Sequence, residues 1–301
     1  MQPDVKLAQS SRSALLGIGL MVIAMLTLPL MDAAAKLMSG RIPIVQLVWA
    51  RFFFHTLLLL PLIGWHFSLR DLWPRRARLQ IARAMMILFA TAMFFNGVAV
   101  MPLANMLAVF FVYPFIITAL SPWVLGDKVG VWRWTATLIG FVGALVIIRP
   151  GFEPLSAGVP FAIAAAFAYS FYALSTRKLA GLDPPLVTLF FTGAVGLVVS
   201  SLALPFVWIT PRLDEWGLMA LMGLVSAFGH YCVIRASERA PAPLLAPLGY
   251  IEIISATLLG FWLFGDLPDQ MTWLGMAIIV ASGLVIAWRE KVRGVSQATS
   301  L

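Results

Sequence analysis

The sequence predicts an all-α integral membrane protein: ten transmembrane helices in two inverted five-helix repeats, with both termini on the cytoplasmic side. Composition is the first reason. The 301 residues are 61% hydrophobic and 11% charged, with a mean hydropathy of +0.94, which is more apolar surface than one water-soluble core can hide. An internal repeat is the second. The stretch from Pro102 to Pro150 returns at a shift of 139, so that Pro102 falls on Pro241, Gly126-Asp127 on Gly265-Asp266, and Trp134 on Trp273. The third is the placing of positive charge. Sixteen Lys and Arg residues gather on one side of the alternating spans, and only Lys36, Arg41, Arg51, Arg149 and Arg212 remain for the other. Because cytoplasmic loops collect Lys and Arg, the crowded side is the cytoplasmic one.

Crossing a bilayer takes about 20 apolar residues, and on that measure the spans run in order along the chain. The first is Ala14 to Met38, with Pro29 placed to bend it. Ile42 to Phe67 and Arg78 to Val98 follow, and the link from Val98 to Leu103 is so short that the next span must turn straight back. That fourth span, Leu103 to Leu125, is interrupted by Tyr113-Pro114 and ends at the Gly126-Asp127 turn. Val131 to Ile148 completes the first half. The second half begins with Ala157 to Leu179, whose Ala162, Ala166 and Ser170 form a face of small residues, and Pro185 to Ile209, thinned by Gly193 and Gly196. Trp216 to Ser237, Pro243 to Phe264 and Met271 to Trp288 close the series. Tryptophans near span ends, such as Trp65, Trp123, Trp208 and Trp262, read as interfacial anchors.

The chain therefore divides into a cytoplasmic N-terminal segment (1–13), a first repeat (14–150), a second repeat (155–290) and a cytoplasmic tail (291–301). MQPDVKLAQSSRS lacks a signal-peptide cleavage pattern, so the first apolar run is expected to stay as a span. The halves also match at their starts, at a shift of 141, with Gly17 on Gly158, Lys36 on Arg177 and Gly40 on Gly181. Five is odd, so the second half enters the membrane from the opposite side. Two halves of opposite orientation are the signature of carriers that alternate access around a midplane site.

Other chemistry finds little support. The formal charge of +8 is topological and calls for no nucleic acid. No GxxxxGK[ST] or GxSxG stretch occurs, and His55, His66 and His230 do not fall at ligand spacing. The single Cys232 excludes an intrachain disulfide and a thiolate metal site. An enzyme and a bound cofactor are not expected.

What remains is the polar residues inside apolar spans, where a charge costs about 2.5 to 3.5 kcal/mol on insertion scales and so needs a reason. Asp32 and Lys36 stand at i and i+4 near the outer end of the first span. They form a self-neutralised pair at the surface, or Asp32 serves an external gate or a substrate ammonium. Arg51 and His55 share a face of the second span, with Arg51 in reach of Asp32 across the first hairpin. Glu252 is the most isolated acid: a proton-coupling group, a ligand for a cation, or a partner of a backbone group. Tyr113 corresponds to Glu252 at the shift of 139, with Tyr250 close by, so both copies are polar at one height. Asn96, Tyr169, Tyr172 and His230 are the further candidates for a pocket, with packing the alternative role for each tyrosine.

MPLANMLAVFFVYPFIITALSPWVLGDKVG in one half and PLGYIEIISATLLGFWLFGDLPDQMTWLGMAIIVASGLVIAWRE in the other resemble the drug/metabolite transporter superfamily, in its EamA-type members. Those proteins usually carry Gly-Glu at the turn where this chain has Gly-Asp twice. The resemblance implies a bacterial inner-membrane carrier that exports amino acids or related metabolites, as YddG-like exporters do; carriers of S-adenosylmethionine, sugars and drugs share the superfamily. PLMDAAAKLMSGRIPIVQLVWARFFFH also resembles the S-adenosylmethionine-permease-like branch, with an Asp and a Lys at the end of the first span. It further implies that the first, third, fourth, sixth, eighth and ninth spans line the cavity. Asn96, Tyr113, Tyr169, Tyr172, His230, Tyr250 and Glu252 are then the expected substrate-binding residues, and Asp32, Lys36, Arg51 and His55 the gating or ion-pair residues. The implied partners are a small-molecule substrate and the lipid bilayer. One chain already holds both halves, so a monomer suffices.

Overall fold

Long apolar runs with no water to satisfy their backbone must bond internally, and helices are the solution this chain adopts. A computed structural model describes residues 3–68, 71–126, 129–149, 156–179, 181–240 and 245–298, and among them there is no strand. The helices are α1 (Pro3–Met38), α2 (Ile44–His66), α3 (Ala77–Val100), α4 (Leu103–Phe110), α5 (Tyr113–Leu125), α6 (Val131–Ile148), α7 (Gly158–Leu179), α8 (Pro185–Ala203), α9 (Leu213–Ser237), α10 (Ile251–Phe264) and α11 (Gln270–Ala298). Prolines mark starts: Pro43, Pro102 and Pro184 precede α2, α4 and α8, where a missing N–H goes unmissed. Among the described residues seven stretches are long and apolar enough to cross a membrane; Trp134–Ile148, Leu248–Phe264 and Gln270–Val285 are shorter apolar helices at the expected fifth, ninth and tenth spans.

The repeat is visible in the backbone. Gly126 ends α5 at φ 75° and Gly265 ends α10 at φ 71°, both in the left-handed conformation that a glycine adopts without a Cβ clash. The interruption at Tyr113-Pro114 is a break between α4 and α5, and the second half has its own, a 3₁₀ turn over Ala246–Tyr250 leading into α10. At the shift of 139 the two helix starts agree to within one residue: Val112, just before α5, falls on Ile251, the first residue of α10, and Tyr113 on Glu252. Asp127, Lys128, Pro150 and Pro241, also part of the expected repeat, lie outside the described residues.

Packing follows the same exchange. α1 packs on α9 and α3 on α7, two contacts that swap when the halves are interchanged. α2 packs on α8 and α6 on α11, each contact mapping onto itself. The crossing of α6 and α11 is close: a Cβ on Gly275 would lie 2.6 Å from the Gly143 carbonyl, and one on Gly143 would lie 2.9 Å from the Gly275 carbonyl. Small residues at such points let backbones approach where apolar burial offers no gain over lipid. Gly196 likewise makes room for Phe52, and Gly193 for His55 and Thr56, at the α2–α8 contact.

Helix ends gather at two rims. At one, Lys36 meets Asp266, Arg149 meets Asp269, and Gln46 exchanges hydrogen bonds with Ile209. At the other, Asp183 accepts hydrogen bonds from the Arg75 backbone (3.1 Å) and Gln80 (3.2 Å). Gly265 belongs to the first rim, beside Asp266. The α4–α5 span starts there too, just after Met101, whose carbonyl Lys36 contacts, so Gly126 ends up at the opposite rim. The equivalent turns thus lie at opposite ends of the bundle.

Candidate functional site

Helices from both halves direct polar side chains into one region of an otherwise apolar interior. Arg51 of α2 is 6% exposed. Its Nε donates to Ser226 Oγ of α9 at 3.2 Å and its Nη1 donates to Thr91 Oγ1 of α3, so one guanidinium ties both halves together. His55, a turn further along the same face, brings Nδ1 to 3.2 Å from the same Ser226 hydroxyl. His230 lies a turn after Ser226 on α9 and bonds its carbonyl at 2.8 Å. Arg51 and His55 therefore do share a face, and its focus is Ser226.

Asp32 is also 6% exposed, and neither of its oxygens receives a hydrogen bond among the described residues. It forms an ion pair with neither Arg51 nor Lys36 among the described residues. The expected intrahelical pair is thus replaced by another. Lys36 Nζ lies 2.7 Å from Asp266 Oδ2 and 3.1 Å from the Met101 carbonyl, with the Phe264 ring 4.7 Å away. Near a helix end the four-carbon stem can reach the rim, where the turn after Gly265 presents Asp266, while Asp32 stays buried.

Aromatic rings form the adjoining wall. Tyr113 packs edge-on against Tyr169 at 4.8 Å, Phe110 lies 5.2 Å from Tyr113 and 5.3 Å from Tyr169, and Tyr172 lies 5.6 Å from Tyr169. Tyr250 stacks near Phe111 at 5.4 Å, with its hydroxyl directed at Gly283 of α11. Glu252 lies in the first turn of α10 with no hydrogen-bond donor among the described residues. Ser170 Oγ sits 3.1 Å from the Tyr113 carbonyl, tying α7 to the break before α5. Of the expected pocket residues, Tyr113, Tyr169 and Tyr172 form one ring cluster, and His230 joins Arg51 and His55 through Ser226. Asn96 instead bonds the Ala92 carbonyl of its own helix at 2.7 Å.

Several participants escaped the sequence reading. Thr91 and Ser226 are inconspicuous hydroxyls in apolar helices, and only their distance from a buried arginine gives them meaning. Phe110 and Phe111 were hidden in an apolar run. Arg83, counted among the cytoplasmic-side charges, is 2% exposed and donates to Gln80, Thr176, the Thr188 carbonyl and Thr192, with Tyr172 beneath it at 5.2 Å. Gln80 and Arg83 at i and i+3, with Thr188 and Thr192 at i and i+4, were the available signal. At the rim held by Lys36–Asp266 and Arg149–Asp269 a cavity of about 120 Å³ lies between the halves, lined by Met101, Asn105, Arg149, Ser156, Asp269 and Thr272. Asp269 caps α11, accepting the Thr272 N–H at 2.8 Å, and that bond, aided by Arg149, holds its carboxyl down at about 2.

Comparison with known proteins agrees with this architecture. The profile of the EamA-like transporter family matches residues 15–149 and again residues 156–288. An S-adenosylmethionine uptake transporter of Rickettsia bellii is 24% identical over 276 residues, covering 92% of this chain and 94% of that one. A pseudopaline exporter, CntI, of Pseudomonas aeruginosa is 25% identical over 284 residues, covering 91% and 97%. A riboflavin transporter of Rhizobium johnstonii is 26% identical over 75% of this chain and 74% of its own. One crystal structure superimposes with a TM-score of 0.66 at 19% identity, covering 93% of this chain and 98% of that one. With two family matches spanning both halves of a multi-pass inner-membrane architecture, the chain belongs to the EamA-like transporter family of the drug/metabolite transporter superfamily.

Proposed function

We propose that this protein is a secondary transporter that exports small zwitterionic metabolites, amino acids or their close relatives, across the bacterial inner membrane by alternating access. In this reading the bundle crosses ten times with both termini cytoplasmic. Residues 14–150 and 155–290 are the two moving halves, residues 1–13 and 291–301 are cytoplasmic, and one chain is the working unit. It is a carrier rather than an enzyme and uses no cofactor or nucleic acid. Asn96, Tyr113, Tyr169, Tyr172, His230, Tyr250 and Glu252 contribute to the substrate site, while Asp32, Lys36, Arg51 and His55 serve gating and charge balance.

One observation carries the reading. Asp32, an acid with no hydrogen-bond donor, and Arg51, a base, are both 6% exposed inside the bundle, and no ion pair joins them among the described residues. Unpaired buried charge is costly, and a zwitterion inserted between them satisfies both at once. Rocking of the halves would then expose that site to each side in turn. Uptake of labelled amino acids into proteoliposomes containing the purified chain tests it: saturable flux supports the reading, and absence of flux across all common amino acids removes it.

A second reading, S-adenosylmethionine as substrate, is favoured by the full-length similarity to the uptake transporters of that compound. Competition of S-adenosylmethionine against labelled amino acid in the same vesicles separates the two.

A further inference from the structure

The rim cavity between the halves has walls of unlike charge. Arg149, at the end of α6, belongs to the first half and Asp269, just before α11, to the second, and the two pair across the gap. Ser156 and Thr272 add hydroxyls, and Asn105 of α4 adds an amide whose buried Oδ1 meets no donor among the described residues. A buried acceptor without a donor is unfavourable, and a guest that donates to it removes that cost. Met101 lines the same space, and its carbonyl accepts from Lys36 at 3.1 Å, so both ion pairs that join the halves touch the cavity walls.

Arg149 occupies its place against a backbone preference. It ends α6 at φ 50° and is the one residue other than glycine with a positive φ among the described residues. The ends of α5 and α10 use Gly126 and Gly265 for the same left-handed conformation. A glycine at 149 would relieve the Cβ clash but take the guanidinium off the cavity wall.

Volume and charge together define a guest. At about 30 Å³ for each water of the liquid, the cavity of about 120 Å³ has the room of roughly four waters, which suits a solute of about five or six non-hydrogen atoms. A simple anion or cation would take one partner of the Arg149–Asp269 pair and strand the other, at a cost. A zwitterion replaces both partners at once.

We propose that this cavity is a second binding site for a small zwitterionic amino acid of the size of glycine or alanine, with its carboxylate on Arg149 and its ammonium between Asp269 and the Asn105 amide oxygen. This rests on the reading of the protein as an amino-acid carrier and adds to it a site that shares no residue with the one around Arg51. The guest takes the place of an ion pair that spans the halves, so it binds the opened rim better than the fastened one and shifts the balance toward opening.

Equilibrium binding of labelled alanine to the purified full chain tests this without measuring flux. Arg51→Met, which removes the central site, should still bind one alanine per chain, and Asn105→Leu, which fills the cavity, should bind one fewer than the unsubstituted chain. In Arg51→Met the remaining site should hold alanine about tenfold or more better than propionate or ethylamine, each of which lacks one of the two charges. Adding Asp269→Asn, which keeps a helix-capping side chain and removes the charge, should weaken alanine by about tenfold and bring it level with propionate. An Arg51→Met chain that melts normally and binds no alanine overturns the rim site, while binding of an amino acid by the unsubstituted chain leaves the carrier reading standing. Stoichiometry unchanged by Asn105→Leu overturns the rim site whether or not Arg51→Met folds. Alanine affinity untouched by Asp269→Asn overturns its placing on the Arg149–Asp269 pair. No binding of alanine or of any other amino acid overturns this proposal together with the reading beneath it.

Discussion

Lys36 passes over Asp32, four residues back on its own helix, and pairs instead with Asp266 across the interface between the halves, at 2.7 Å. The contact joins the end of α1 to the turn after α10, and Arg149 with Asp269 adds a second link from α6 to the start of α11. Together they fasten that rim. Alternating access requires that fastening to open.

A partly exposed ion pair is worth about 0.2 to 1 kcal/mol, enough to shift a conformational balance severalfold but not to unfold the bundle. Lys36→Gln or Asp266→Asn is therefore expected to leave thermal stability nearly unchanged. Either should raise the labelling rate of a cysteine placed at Asn105, in the rim cavity, by an impermeant thiol reagent. The native Cys232 is buried and gives a low background. The charge-swapped double variant Lys36→Asp, Asp266→Lys should recover much of the original protection.

Asp269 gives the latch a pH character with a definite sign. Its carboxyl is held at about 2 by the Thr272 N–H and Arg149, below the usual carboxylate value. A group depressed in the folded state contributes fully above its unfolded pKa and loses that contribution only as pH falls through the folded value. Labelling at the rim should thus stay constant from neutral pH down to about 5. Asp269→Ala removes a helix cap and should cost about 1 kcal/mol at any pH in that range, seen as a lower melting temperature.

Arg51 is held as a fork between Thr91 and Ser226. Lysine keeps the charge but cannot reach both hydroxyls and the substrate. Arg51→Lys is expected to raise KM by about tenfold or more, whereas Ser226→Ala should have a smaller effect on KM and loosen the packing of α2 on α9. Flux measured over a range of substrate concentrations distinguishes them.

The α6–α11 crossing predicts a purely structural sensitivity. Gly275→Val drives a side chain into the Gly143 carbonyl and Ile147 and should cost about 1 to 3 kcal/mol. Gly19→Ala, where a Cβ meets nothing, should be neutral or slightly stabilising. Thermal unfolding in detergent checks the pair.

Much of this architecture was legible in the chain itself. Apolar run lengths marked the helices, and Tyr113-Pro114 and the two Gly-Asp turns marked the breaks and ends of the repeat. The identity of the costly residues was legible too, because Asp32, Arg51 and Glu252 stand out in apolar surroundings. Their partners were not. An i, i+4 rule offers Lys36 to Asp32, but tertiary geometry gives Lys36 to a residue 230 positions away. Arg51 finds its hydroxyls at separations of 40 and 175 residues, and a threonine or serine inside a helix leaves no mark in a hydrophobic pattern.

Exchange of labelled amino acid across proteoliposomes, with and without Arg51→Met, tests the central claim most directly. The account predicts saturable flux, accelerated by unlabelled substrate on the far side as alternating access requires, and lost in Arg51→Met while the Gly19→Ala protein retains it. Amino-acid flux that is unaffected by Arg51→Met, or that never saturates, would contradict it.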